Sequence, residues 1–248
     1  MRRILSALFI VAVFSLLIGC GKNENNPYVP WPSTGDTIHV VFQFGTSPFP
    51  DYYGTKDAIL KDSPGAGYKN YNYGNVPFDT IGFARIGGLL YERRLIIAFD
   101  LSAIKNCSRV IEARLRLSLD PLTQNGLFLT AHSVSMPNWT GAGWVEGING
   151  SGNGVSWLTI DGGVLWHNPG GDFDQAPLDT SYVMNDTVAT FDLPGSLVLD
   201  WIAHPDANHG IIVRPLDTGA ENACLIFMKE SDNAALRPLL EVTYIKGG

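Results

Sequence analysis

Aromatic rings set among amides and charges are the residues of this chain with the most chemistry to offer. Tyr68, Tyr71 and Tyr73 crowd the stretch Tyr68-Lys69-Asn70-Tyr71-Asn72-Tyr73-Gly74. Rings of this kind stack on the apolar faces of pyranose sugars, while Asn, Asp, Lys and Arg bond the hydroxyls. If the run is extended, alternation sets the three tyrosines on one side. Lys61, Lys69 and Arg85 would add a local basic patch. Trp139, Trp144, Trp157 and Trp166 all fall within the long irregular segment 136–186. Trp144, Trp157 and Trp166 read as plugs, because one buried indole removes a large area from water. Trp139 sits in a Pro-Asn-Trp-Thr turn, reads as exposed, and joins the sugar-binding candidates.

Other chemistries have weaker support. Asn168, Asp172 and Asp174 are oxygen-bearing residues among glycines and a proline. Calcium takes roughly six to eight oxygen ligands and accepts loop carbonyls, so a structural calcium is the cofactor to look for here. A plain Gly-Gly-Asp turn is the competing reading. Arg93 and Arg94 are adjacent, so in a strand they face opposite ways. One is expected to meet a carboxylate such as Glu230 or Asp100, and the other is free for a carboxylated sugar. The histidines are scattered at 39, 132, 167, 204 and 209, and no zinc-protease, nucleophile-elbow or phosphate-loop motif occurs. A glycosidase carboxylate pair is spatial rather than sequential, and Glu146 with Asp172 is the first pair to inspect. The chain reads as non-catalytic.

The elements that must position these residues are short strands. Hydrophobic residues make up 45% of the chain and charged ones 17%, with 27 Gly and 15 Pro, which rules out a disordered or long-helix protein. Period-two or continuous apolar runs mark strands near 37–44, 58–61, 81–86, 93–99, 113–119, 126–134, 187–191, 210–213, 223–228 and 239–244. Leu197, Val198, Trp201 and Ile202 share one face of a short helix between Pro194 and Pro205. The segment 136–186 is expected to contribute a strand or two and to wrap the sandwich edge. The pattern is that of an all-β antiparallel sandwich with one short helix.

The N-terminus reads as an address. Arg2 and Arg3 precede an apolar run that ends in Leu17-Ile18-Gly19-Cys20, a sequence resembling the bacterial lipobox. Residues 1–19 are expected to be a signal peptide and Cys20 the lipidated residue. Residues 20–35 would be a flexible tether and 36–248 one β-sandwich domain. The net charge of −7, nearer −9 once Arg2 and Arg3 are removed, argues against nucleic-acid binding. Membrane contact is expected through the lipid alone. Cys107 and Cys224 remain as a candidate disulfide in an oxidising envelope, or as two buried thiols.

Five blocks in order carry a family resemblance. They are the Tyr68–Gly74 turn, Glu92-Arg93-Arg94-Leu95-Ile96-Ile97-Ala98-Phe99-Asp100-Leu101-Ser102, Gly143-Trp144-Val145-Glu146-Gly147, the Trp157 and Trp166–Asp174 stretch, and Arg237-Pro238-Leu239-Leu240-Glu241-Val242-Thr243-Tyr244. Together they resemble the DNRLRE-type domain, a module of bacterial and archaeal extracellular proteins. The resemblance implies a jelly-roll-like sandwich on an envelope protein, with polysaccharide or surface glycan as the partner. The alternatives are a structural or adhesive envelope protein and a cryptic polysaccharide hydrolase or lyase.

Overall fold

Apolar side chains at alternate positions decide which way each strand faces, and two sheets result. The structure, a computed structural model, describes residues 35–121, 126–136, 141 and 143–247. Cys20, Trp139 and the expected signal peptide lie outside the described residues.

The strands are β1 (Thr37–Gln43), β2 (Thr55–Lys61), β3 (Phe78–Ile86), β4 (Leu89–Phe99), β5 (Cys107–Ser118), β6 (Leu127–Ser133), β7 (Asp179–Val183), β8 (Val188–Asp192), β9 (Ile211–Pro215), β10 (Asn222–Phe227) and β11 (Leu239–Lys246). Two helices join them, α1 (Ala66–Lys69) and α2 (Gly195–Ala203). One sheet runs β1-β11-β5-β8. The other runs β10-β3-β4-β9-β6-β7, with β2 also paired to β4. Neighbouring strands are antiparallel throughout. This is the all-β sandwich the periodicity predicts. Strand β7 is the strand expected within the segment 136–186, and the helical turn α1 is an addition.

Strand β5 shows the alternation most cleanly. Ala113, Leu115 and Leu117 are buried between the sheets, while Arg114 and Arg116 turn outward to Asp192 and Glu241. Phe42, Leu115, Leu117 and Val242 meet Ile59, Leu95, Ile97, Leu129 and Val213 from the larger sheet. Helix α2 packs on β5 through Val198 and Trp201, and its last turn is closed by the His204 N–H donating to the Asp200 carbonyl.

A second core lies on the other face of the larger sheet. Ala58, Leu60, Ile96, Ala98 and Ile212 point away from the sandwich interior and are covered by Trp144, Val155, Trp157, Ile160 and Trp166. The segment after β6 therefore spreads over a sheet face, not the sandwich edge. The unbroken apolar runs Leu95–Phe99 and Ile211–Val213 follow from this, since strands buried on both faces have no polar side. Each indole removes roughly 200 Å² from water, worth about 5 kcal/mol before entropy. That gain explains how the described part of this segment, with little regular structure, is held on the sheet.

The candidate disulfide is absent. Cys107 and Cys224 are free thiols, the first on β5 and the second on β10 in the opposite sheet. Burial pushes the Cys224 thiol up to about 12. Among the described residues no helix is long and apolar enough to cross a membrane.

Candidate functional site

The tyrosine run is not extended. Residues Ala66–Lys69 form a helical turn, and it is this turn that brings Tyr68 to Tyr71. The expectation that an extended run sets all three tyrosines on one side also fails on parity, since alternation groups Tyr71 with Tyr73 and turns Tyr68 to the opposite face. The Tyr68 and Tyr71 rings meet edge to face, with centroids 5.2 Å apart and planes at 77°. Both are exposed, Tyr68 by 58% and Tyr71 by 42%. Tyr73 differs: it is half-buried and packs on the inter-sheet core.

An open groove of about 340 Å³ lies beside Tyr68, lined by Lys61, Asp62, Ser63, Tyr73, Ile86 and Arg93 among others. The Lys61 ammonium sits 4.0 Å from the centre of the Tyr73 ring and 2.7 Å from Asp79. Burial lowers its pKa against the pull of Asp79. Lys69 pairs with Asp62 at 2.6 Å, and Arg93 donates to the Thr80 hydroxyl. Three cations thus face two carboxylates here, a local positive excess on an acidic chain. Arg85 does not join them. It bonds the Gly88 carbonyl of its own hairpin at 2.9 Å.

The turn at Asn168, Asp172 and Asp174 is built around backbone donors. The Asp172 carboxylate accepts from the N–H groups of His167 and Asn168 and from the Asn168 amide, at 2.8, 2.9 and 2.9 Å. The carbonyl of Asp174 bonds a His132 ring nitrogen at 2.8 Å. This is the geometry of a capped Gly-Gly-Asp turn. Nearby, Arg94 is buried and pins the turn: it donates to the Gly170 carbonyl at 2.7 Å and faces the Trp157 and Phe173 rings. Gly170 has φ of 90°, and a Cβ there would lie 2.7 Å from the Arg94 guanidinium. The carboxylate partner of Arg94 is Glu92 at 2.6 Å, neither Glu230 nor Asp100. Residues two apart share a strand face, so the nearest carboxylate wins.

Glu146 and Asp172 do not pair. Glu146 stands with Asp57 of β2 and with Glu230 beyond β10, a group whose ligand atoms lie within 4.8 Å of one another. Lys229 is buried among them. Its ammonium pairs with Glu146 at 3.2 Å and with Glu230, and its N–H donates to Asp57 Oδ2 at 2.8 Å. The Asp57 N–H donates to Glu146 Oε1 at 3.0 Å. Burial, then the charge of Glu230, raises the Asp57 carboxyl well above the usual range. Burial also raises Glu146. For Lys229 burial works downward, but Glu230 and Glu146 outweigh it and raise the ammonium. Lys56, whose pKa burial lowers to about 8, donates to the Trp144 carbonyl at 2.7 Å and lies over its ring.

Asn72 ties this junction to the tyrosine turn. Its amide donates to the carbonyls of Glu146 and Val155, and its oxygen accepts from Gly74 N–H at 2.9 Å. Gly154, with φ of 129°, leaves the room that this amide needs.

One exposed aromatic pair was not foreseen from the sequence. Phe128 of β6 and Tyr182 of β7 are cross-strand partners with centroids 4.6 Å apart, beside exposed Met184 and Leu216. Phe128 sits at an outward position of an alternating strand, which was the available signal. No protein-family profile matches the chain, and no curated protein matches it.

Proposed function

We propose that this protein is a non-catalytic glycan-binding module that holds polysaccharide by stacking on Tyr68 and Tyr71 and by polar contacts in the adjoining groove. The observation that carries the reading is the exposed tyrosine pair, of which Tyr68 lines a groove bearing Lys61, Asp62, Ser63 and Arg93. Its volume is in the range of small-molecule sites and gives room for a sugar ring. Because the rings are perpendicular, a sugar stacked on one is bordered by the other. The local excess of cations favours a carboxylated glycan over a neutral one. The resemblance to DNRLRE-type domains points the same way, as a fold-level analogy. So does the lipobox-like Cys20, which would anchor the domain at the bacterial cell envelope, on the outer membrane or cell surface.

The carboxylate junction does not suit a hydrolase or lyase. Asp57 has no exposed surface for a substrate to reach, and Glu146 and Glu230 are engaged with Lys229. A second reading, a structural or adhesive protein, is favoured by one observation: the apolar patch of Phe128, Tyr182, Met184 and Leu216.

The test is affinity electrophoresis of the full-length chain in mild detergent against neutral and acidic polysaccharides. Retardation by a glycan, stronger for acidic ones and weakened by salt, supports the reading. A folded protein that no glycan retards overturns it and shifts weight to protein contact.

A further inference from the structure

Two buried carboxylate oxygens, Asp57 Oδ1 and Glu230 Oε2, have no hydrogen-bond partner among the described residues. Both belong to the junction of Asp57, Glu146 and Glu230. An orphaned buried acceptor is costly, and a native structure rarely leaves two in one place without something to meet them. The charges are unbalanced in the same sense. Three carboxylates surround the single ammonium of Lys229. Lys56, the other cation acting on Glu146, is committed to the carbonyl and ring of Trp144.

The spacing fits one ion. Hard divalent cations of calcium size bind oxygens at about 2.4 Å, so two oxygens on one ion lie no more than about 4.8 Å apart. The ligand atoms of Asp57, Glu146 and Glu230 all lie within 4.8 Å of one another. Asp57 is fully buried, brings a carboxylate oxygen into this cluster and has its Oδ1 unpartnered, while Glu146 and Glu230 are partly exposed and give an ion a way in.

We propose that Asp57, Glu146 and Glu230 form a binding site for a hard divalent cation, with calcium the expected occupant. Lys229 holds the Oε1 atoms of Glu146 and Glu230, and the ion takes the oxygens that Lys229 leaves. The three ligands come from β2, from the long segment over the outer sheet face and from the loop after β10. The ion therefore staples that segment to the sandwich, next to Asn72 and the tyrosine turn. The site is independent of glycan binding: a failure to bind sugar says nothing about it, and the reverse holds too.

The test is calcium chloride titrated calorimetrically into the EDTA-stripped, full-length protein, with melting followed in parallel. One calcium per chain and a higher melting temperature are expected. Glu230→Gln keeps the shape of the cluster and should weaken binding by about tenfold or more, through loss of one anionic ligand. Asp57→Asn should do the same, while Asp172→Asn should leave binding unchanged. Absence of calcium heat and of any melting shift in the folded wild type overturns the proposal. Binding that survives Glu230→Gln and Asp57→Asn but is lost in Asp172→Asn also overturns it, by placing the ion at the 168–174 turn.

Discussion

Two neighbouring groups of polar and aromatic residues, the Asn72 junction and the tyrosine groove, are used in opposite ways. At the junction, Asn72, Asp57, Glu146 and Lys229 are buried or nearly so, and most of their polar atoms are paired across distant segments. Beside the groove, Tyr68 and Tyr71 are both exposed, with their rings edge to face. Burial and saturation mark residues that hold the chain together. Exposure of costly aromatic surface marks residues available to a partner. The two groups share one turn, Tyr68–Gly74, so sequence proximity does not separate them; accessibility does.

That contrast makes predictions that differ in kind as well as size. The largest effect is expected at Trp144, which is almost fully buried and whose indole N–H donates to the His209 carbonyl at 2.9 Å. Trp144→Ala should destabilise the protein by about 3–5 kcal/mol in urea unfolding, by leaving a cavity in the second core. Asn72→Ala should cost less, about 1–3 kcal/mol, by stranding the carbonyls of Glu146 and Val155. Loss of stability below about 0.5 kcal/mol in either variant would mean that the junction does not hold the outer segment.

A pH experiment sharpens the same contrast. In EDTA, the raised carboxyl of Asp57 contributes stability below its unfolded pKa, and that contribution is lost as pH rises through its folded pKa. Glu230 and Glu146 enlarge the loss, while Lys229 limits it. The melting temperature of Asp57→Asn should therefore gain on that of wild type as pH rises from about 4 toward neutrality. Parallel curves would show that Asp57 keeps no raised pKa. The smallest stability effect is expected at Tyr68→Ala and Tyr71→Ala, within about 0.5 kcal/mol of wild type, because neither ring fills a core.

Much of the fold was legible because its strands advertise themselves. Ten strands and helix α2 follow from periodicity, the latter from Leu197, Val198, Trp201 and Ile202 between two prolines. A strand within 136–186 is expected from the sequence, but β7 could not be placed there, because Asp179-Thr180-Ser181-Tyr182-Val183 is an edge strand with one buried side chain. The second core was half-visible in Leu95–Phe99, whose lack of a polar face requires a cover on both sides. Burial of Trp144, Trp157 and Trp166 follows from composition, but which surface they cover does not. The carboxylate junction joins residues far apart in the chain. Its one local sign was Asp57, an acid leading directly into the apolar run Ala58-Ile59-Leu60. Tyr68 and Tyr71 are close in sequence, but a helical turn and not strand alternation brings their rings together.

The measurement that tests the division of labour most directly follows retardation and melting together in the double variant Tyr68→Ala/Tyr71→Ala. It uses a polysaccharide that retards the wild-type chain. Binding through the groove predicts that retardation is abolished while the melting temperature is unchanged. Retardation that persists in this variant, and is lost instead in Phe128→Ala/Tyr182→Ala, would contradict it.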